Sequence, residues 1–197
     1  MQYSYDAKQT GQRIWFALGV WSLVVALGGY SGIFSALPLP SISLLVAIGI
    51  ITLLILYYKN PAINSYIISL SPKSLVIFHL WRILAGFTFL YYGSQSLLPE
   101  QFVINAGYGD LAVGFLVPIV LLGNESNRKY IAFHLFGLLD FVVAVGTGLT
   151  FTILQVPLME NIATFPIVWI PLFGVPVTGA SSIMAIDSLV NCPNPLH

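Results

Sequence analysis

Five side chains could do chemistry here, and each sits in a stretch otherwise apolar enough to cross a bilayer: His79, Arg82, Asp110, His134 and Asp140. His79 and Arg82 are three residues apart, so on a helix they share a face, and Gly86 continues that face one turn on. An arginine at the centre of a membrane helix costs roughly 2.5–3.5 kcal/mol on insertion scales, so it needs a partner inside the protein. The two aspartates supply one, with a charge left over. Three states balance one guanidinium against two carboxylates: one aspartate protonated, a histidine charged, or a cation bound. The first two are what a proton-handling site needs, and the third describes a cation site.

Helices must hold these groups. The chain of 197 residues is 57% hydrophobic with charge on only 7% of its positions, too little polar surface to face water on all sides. The composition points to an all-α, polytopic membrane protein forming a single integral membrane domain with no soluble module. Apolar runs and their breakers predict six transmembrane helices, at about 14–34, 41–58, 75–98, 101–122, 130–154 and 166–189. Pro38 and Pro40 divide the first two, residues 59–74 form an interfacial connection, and Gly123 to Lys129 reads as a turn. The first run is too long for a signal-peptide core and is expected to be retained.

The basic residues set the expected orientation. Lys8, Arg13, Lys59, Lys73, Arg128 and Lys129 all fall in connections on one side of a six-helix bundle, leaving Arg82 alone within it. By the positive-inside rule that side is cytoplasmic, and both termini share it.

At about 1.5 Å of rise per residue, His79 and His134 lie at one depth, each six residues beyond a basic residue, about 9 Å in. Arg82, Asp140 and Asp110 follow at about 14, 18 and 20 Å, within reach of one long arginine side chain. Gly107 and Gly114 flank Asp110 on its face, and Gly137 lies beside Asp140. Such small residues let backbones approach or leave room for a ligand. The sixth helix carries Pro166, Pro171 and Pro176 at five-residue intervals with Gly174 between them. Each internal proline frees a carbonyl, which Thr178, Ser181 or Ser182 could satisfy, and broken helices of this kind suit a gating element (Pro171, Gly174, Pro176).

Several classes fall away. There is no HExxH, no GxSxG, no Walker loop and no dinucleotide fingerprint, and no basic run for nucleic acid. One cysteine, Cys192, rules out an intramolecular disulfide. Matched depth makes His79 and His134 candidate axial ligands of one b-type haem. A second haem would need two more histidines, and only His197 remains. A catalytic zinc would take three ligands, and His79, His134 and an aspartate could supply them without any supporting spacing.

The series Arg82-x3-Gly86, Leu98-Pro99, Ala106-Gly107-x-Gly109-Asp110, Val113-Gly114, Gly137-Leu138-Leu139-Asp140 and Pro166/Pro171/Pro176 resembles a group of small bacterial multi-pass membrane proteins of uncharacterised activity. The resemblance implies the bacterial inner membrane. An asparagine commonly takes the place of His134 in that group, which leaves Arg82, Asp110 and Asp140 as the better candidates. The leading expectation is a small proton-coupled transporter or channel-like carrier whose solute the sequence does not name. A non-catalytic assembly factor or subunit of a larger membrane complex, or a homo-oligomer, is the alternative, and the single-haem redox protein is the third.

Overall fold

The computed structural model describes residues 2–191; residues 192–197, Cys192 and His197 among them, lie outside the described residues. All regular structure among the described residues is helical. The chain runs α1 (Gln2–Tyr30), α2 (Pro40–Lys59), α3 (Pro61–Ser69), α4 (Pro72–Ser94), α5 (Glu100–Leu121), α6 (Asn127–Ile153) and α7 (Ile170–Asn191). All but α3 are long and apolar enough to cross a membrane. Their outer faces agree with that: Phe16, Leu84, Ile119 and Leu139 are 75%, 72%, 63% and 64% exposed, an apolar surface that lipid would cover.

The helix ends differ from the sequence expectation for local reasons. The polar N-terminal segment is already helical, and α1 stops at Tyr30 rather than residue 34, where Gly32 takes a left-handed φ of +78°. The 59–74 connection contains the short helix α3, capped at its start by Asn60. Its side-chain oxygen accepts from the backbone N–H of Ala62 at 3.0 Å and of Ile63 at 3.3 Å, with Pro61 in the first turn. Ser71 does the same for α4, accepting from Ser74 N–H at 3.1 Å. That helix closes at Ser94 and not at Leu98: Ser96 has φ +55°, and Leu97 N–H turns back to the Tyr92 carbonyl. The sixth span begins at Ile170, not Pro166, because residues 165–168 form turns. Val168 N–H donates to the Thr164 carbonyl, and the Trp169 and Ile170 N–H groups donate three residues back to Pro166 and Ile167.

Small residues bring α4 and α5 together. A Cβ on Gly86 would sit 2.7 Å from the Gly107 carbonyl oxygen, and one on Gly114 would sit 3.1 Å from the Ile83 backbone nitrogen. Between membrane helices the hydrophobic effect gives no drive, so this close packing and the buried polar bonds do the holding. α7 packs against α2 and α6 and lies inside the bundle. Among the described residues three apolar clusters fill the interior, the smallest around Tyr57, Ala180 and Met184, and the two larger ones bear on the polar centre. One contains Ala85, Phe89, Phe102, Ala106 and Met159; the other contains Val76, Val113, Val117, Tyr130 and Phe133. On α4 the order is Val76, Arg82, Ala85, and on α5 it is Ala106, Asp110, Val113. The polar centre therefore lies between these two clusters.

The basic residues gather at one end. Gly11 of α1 packs on Tyr66 of α3, Tyr57 of α2 donates to Asp187 of α7 at 2.8 Å, and Lys73 of α4 pairs with Glu125 at 2.5 Å.

Candidate functional site

Arg82 is the hub. It projects from α4 just past a single 3-10 turn, Phe78–Leu80, which tightens the helix where His79 sits. Its Nε donates to Asp110 Oδ1 at 2.6 Å, its Nη2 donates to Asp140 Oδ2, and its Nη1 reaches the Gly137 carbonyl at 3.5 Å. The side chains of Arg82, Asp110 and Asp140 are 5%, 12% and 9% exposed, so the cluster is shielded from solvent. One guanidinium thus bridges two carboxylates from two different helices, α5 and α6. Charge-assisted bonds of this kind are short and strong, and a planar guanidinium suits the fork.

Local backbone irregularity aims the carboxylates. A π-helical stretch, Ile104–Tyr108, immediately precedes Asp110 and shifts the register of α5 there. Gly109 then leaves space for the Asp140 carboxylate, which a Cβ at that position would overlap. At Gly137 the opposing helix is equally bare: a Cβ there would lie 3.5 Å from Arg82 Nη1 and 3.8 Å from the His79 ring. The guanidinium and the imidazole therefore converge on one glycine.

His79 and His134 meet toward the basic end. Their ring centroids are 5.3 Å apart at an interplanar angle of 61°, with Phe133 5.1 Å from His79 and 5.3 Å from His134. Both are buried, at 0% and 1% exposure. His79 Nε2 lies 3.3 Å from Ser182 Oγ, whereas His79 Nδ1, both nitrogens of His134 and the Tyr130 hydroxyl are buried without a hydrogen-bond partner. Buried polar atoms normally find partners, and four orphans on three adjacent side chains are unusual. A haem ligated by both rings would have to lie between them; here the rings touch edge to face. Among the described residues, no group of three or more His, Cys, Asp or Glu is arranged to hold a metal ion.

On the far side of Arg82 lies a cavity of about 70 Å³. Arg82, Asp110, Trp81, Thr178, Ser43 and Thr152 give it its polar lining, and Phe89, Phe102, Met159 and Ile162 are among its apolar walls. Its lining extends to Ile42 near the start of α2 and Thr152 near the end of α6, the end of the bundle opposite the basic residues. One water needs at least about 10–15 Å³, so there is room for a few. Asp140 does not line this cavity; it bonds Arg82, which does.

Of the expected gating residues Pro171 lines the cavity, while Gly174 and Pro176 do not, and all three lie near the start of α7 rather than in its middle. Pro171 and Gly174 lie in a π-helical first turn, Ile170–Gly174, and Pro176 is the second residue of the α-helix that follows. Thr178 Oγ1 donates to the Gly174 carbonyl at 2.7 Å, four residues back on its own helix and not one that a proline frees, while Ser182 turns to His79. The Trp81 ring covers Gly174 where a side chain would stand, and its Nε1 donates to Thr178 at 2.9 Å. A further proline, Pro118, lies inside α5.

Sequence reasoning missed Trp81, Gly109, Thr178, Ser182 and Tyr130 as members of this site. Trp81 adjoins Arg82, Gly109 adjoins Asp110, and Tyr130 stands one helical turn before His134, so adjacency was the available signal. For Thr178 and Ser182 it was the four-residue spacing, which puts both hydroxyls on one helix face.

Fold and site together define a multi-pass helical membrane protein with an arginine–carboxylate centre buried between its helices. The chain belongs to the family described as a domain of unknown function, DUF8737, whose model matches residues 13–190. No curated protein and no solved structure matches it.

Proposed function

We propose that the chain is a small proton-coupled carrier of the bacterial inner membrane, with the basic end and both termini in the cytoplasm. The observation that carries the reading is the cavity that ends on Arg82 and Asp110, at a centre where one guanidinium serves two carboxylates. A solute arriving from the outer end meets Arg82, which offers a cation to an anionic or polar group. Competition for the guanidinium frees a carboxylate to take a proton. His79 and His134, edge to face toward the basic end with His79 Nδ1 and both His134 nitrogens unpartnered, provide the next acceptors on the inward route. The π-helical start of α7, bordering the cavity at Pro171, is the wall that gives way.

The test is proton uptake by vesicles that contain the purified protein and an entrapped pH-sensitive dye, challenged with a panel of amino acids, small organic anions and sugars. Wild-type vesicles should acidify with at least one solute class, and Asp140→Asn should abolish this while leaving the unfolding midpoint close to wild type. No response from the wild type, or normal uptake by Asp140→Asn, would refute the reading.

A second reading, a non-catalytic assembly factor or subunit, draws on the same bonds. Arg82 already satisfies both aspartates and approaches the Gly137 carbonyl, as a purely structural staple would. In that case Asp140→Asn affects folding yield alone.

A further inference from the structure

We propose that the groove between α1 and α2 binds one acyl chain of an anionic phospholipid, with Arg13 and Asn60 holding the headgroup. The groove encloses about 730 Å³, about ten times the cavity beside Arg82. It exists because α1 is held away from α2. Near its start α1 rests on α3, with Gly11 against Tyr66. Farther along it leans on the opening of α7, where Trp21 packs on Phe173 at 5.6 Å and Ser22 accepts from Trp169 Nε1 at 2.9 Å. Between those supports the floor is α7, through Val177, Ala180 and Met184.

Length, polarity and charge together choose the occupant. Along α1 the lining runs from Thr10 to Val25, about 22 Å at 1.5 Å per residue. That exceeds half of a hydrocarbon core about 30 Å thick, so one extended chain entering from the near leaflet can lie in it throughout. Polar groups concentrate at one end: Thr10, Arg13 and Asn60. Deeper in, Thr52 and Ser181 carry the hydroxyls, and the Ser181 hydroxyl is already committed to the Thr178 carbonyl at 2.9 Å. A wall with its charge and amide at one end and only these two hydroxyls among apolar side chains along the rest has the polarity of a single lipid.

Arg13 makes no ion pair among the described residues. The Asn60 side-chain oxygen is used in capping α3, which leaves its NH2 to donate. Both ends of this polar mouth are therefore donors, which favours a phosphate and gives an anionic headgroup the advantage. α7 separates the groove from the polar centre: Val177, Ala180 and Met184 face the lipid, while Thr178 and Ser182 reach Trp81 and His79. This site stands independently of the carrier reading.

Trp21 lines the groove and reports on it. The experiment reconstitutes the full chain in phosphatidylcholine vesicles carrying a fixed mole fraction of either dibrominated phosphatidylglycerol or dibrominated phosphatidylcholine. The Trp21 signal is taken as wild type minus Trp21→Phe, with circular dichroism confirming that both are folded. The anionic quencher should be favoured roughly fivefold, as one basic residue at an anionic headgroup implies. Arg13→Gln, a change at an exposed position, should make the two quenchers equal. Equal quenching in the wild type would overturn the proposal, as would a preference that survives Arg13→Gln. Trp21 fluorescence insensitive to both lipids would also overturn it and identify a protein occupant such as a second copy.

Discussion

Replacing Arg82 with glutamine should be far more damaging than removing either of its partners, and the geometry sets the size of the gap. In Arg82→Gln, Asp110 and Asp140, whose side chains are 12% and 9% exposed, lose the cation that both of them bond. Stranding a buried charge by deleting its partner costs about 3–5 kcal/mol. In Asp110→Asn, by contrast, the new amide oxygen can still accept from Arg82 Nε, and Arg82 keeps Asp140 as a one-to-one pair. A hydrogen bond to a charged group contributes about 1.5–3 kcal/mol and a neutral one about 0.5–1.5, so this change should cost about 1 kcal/mol. Asp140→Asn should behave likewise. If the cluster is replaced as a unit, Arg82→Met with Asp110→Leu and Asp140→Leu, stability should return to near the wild-type value, because no charge is then buried. The assay is reversible unfolding in detergent micelles followed by tryptophan fluorescence, with all variants in the same detergent at the same pH. The reasoning fails if Arg82→Gln costs no more than Asp110→Asn, for then the carboxylates do not depend on the guanidinium that the geometry assigns to them.

Three other outcomes follow from particular contacts. Gly109→Ala should cost at least as much as Asp140→Asn, because its methyl group claims the space of the Asp140 carboxylate; the same unfolding assay reads it. His134→Leu should raise the unfolding midpoint, since it removes two buried ring nitrogens without partners, each a loss of about 1–3 kcal/mol; the carrier reading adds that proton uptake should fall. Reporter fusions after residue 191 should be active only in the cytoplasmic form, because the end of α7 lies with the basic end of the bundle through the Tyr57–Asp187 bond.

The six long apolar helices were legible in the sequence because apolar run length is a direct physical requirement of a spanning helix. Grouping Arg82 with Asp110 and Asp140 was legible too, since rise per residue converts sequence position into depth. The irregular backbone was not. Whether residues 104–108 and 170–174 wind as π-helix depends on the neighbours each carbonyl meets, and no residue type marks it. The short helix α3 was hidden because its nine residues show neither length nor a sustained period, although the Asn60-Pro61 cap in front of it was there to be read. Equal depth placed His79 level with His134, but depth says nothing of rotation about the helix axis. Only the packed structure shows their rings in contact with Phe133 instead of standing apart. The partnership of Trp81 with Thr178 joins residues far apart in the chain across two helices, a register that composition does not encode.

The central claim is that the buried centre takes up and releases a proton, and infrared difference spectroscopy on the reconstituted protein tests it most directly. On acidification the wild type should gain the carbonyl stretch of a protonated carboxylic acid in a dry environment, and the band should be lost or shifted in both Asp110→Asn and Asp140→Asn. A wild type that stays folded with no such band, or a band unchanged in both variants, would contradict the account and leave Arg82 and its two aspartates as a structural staple.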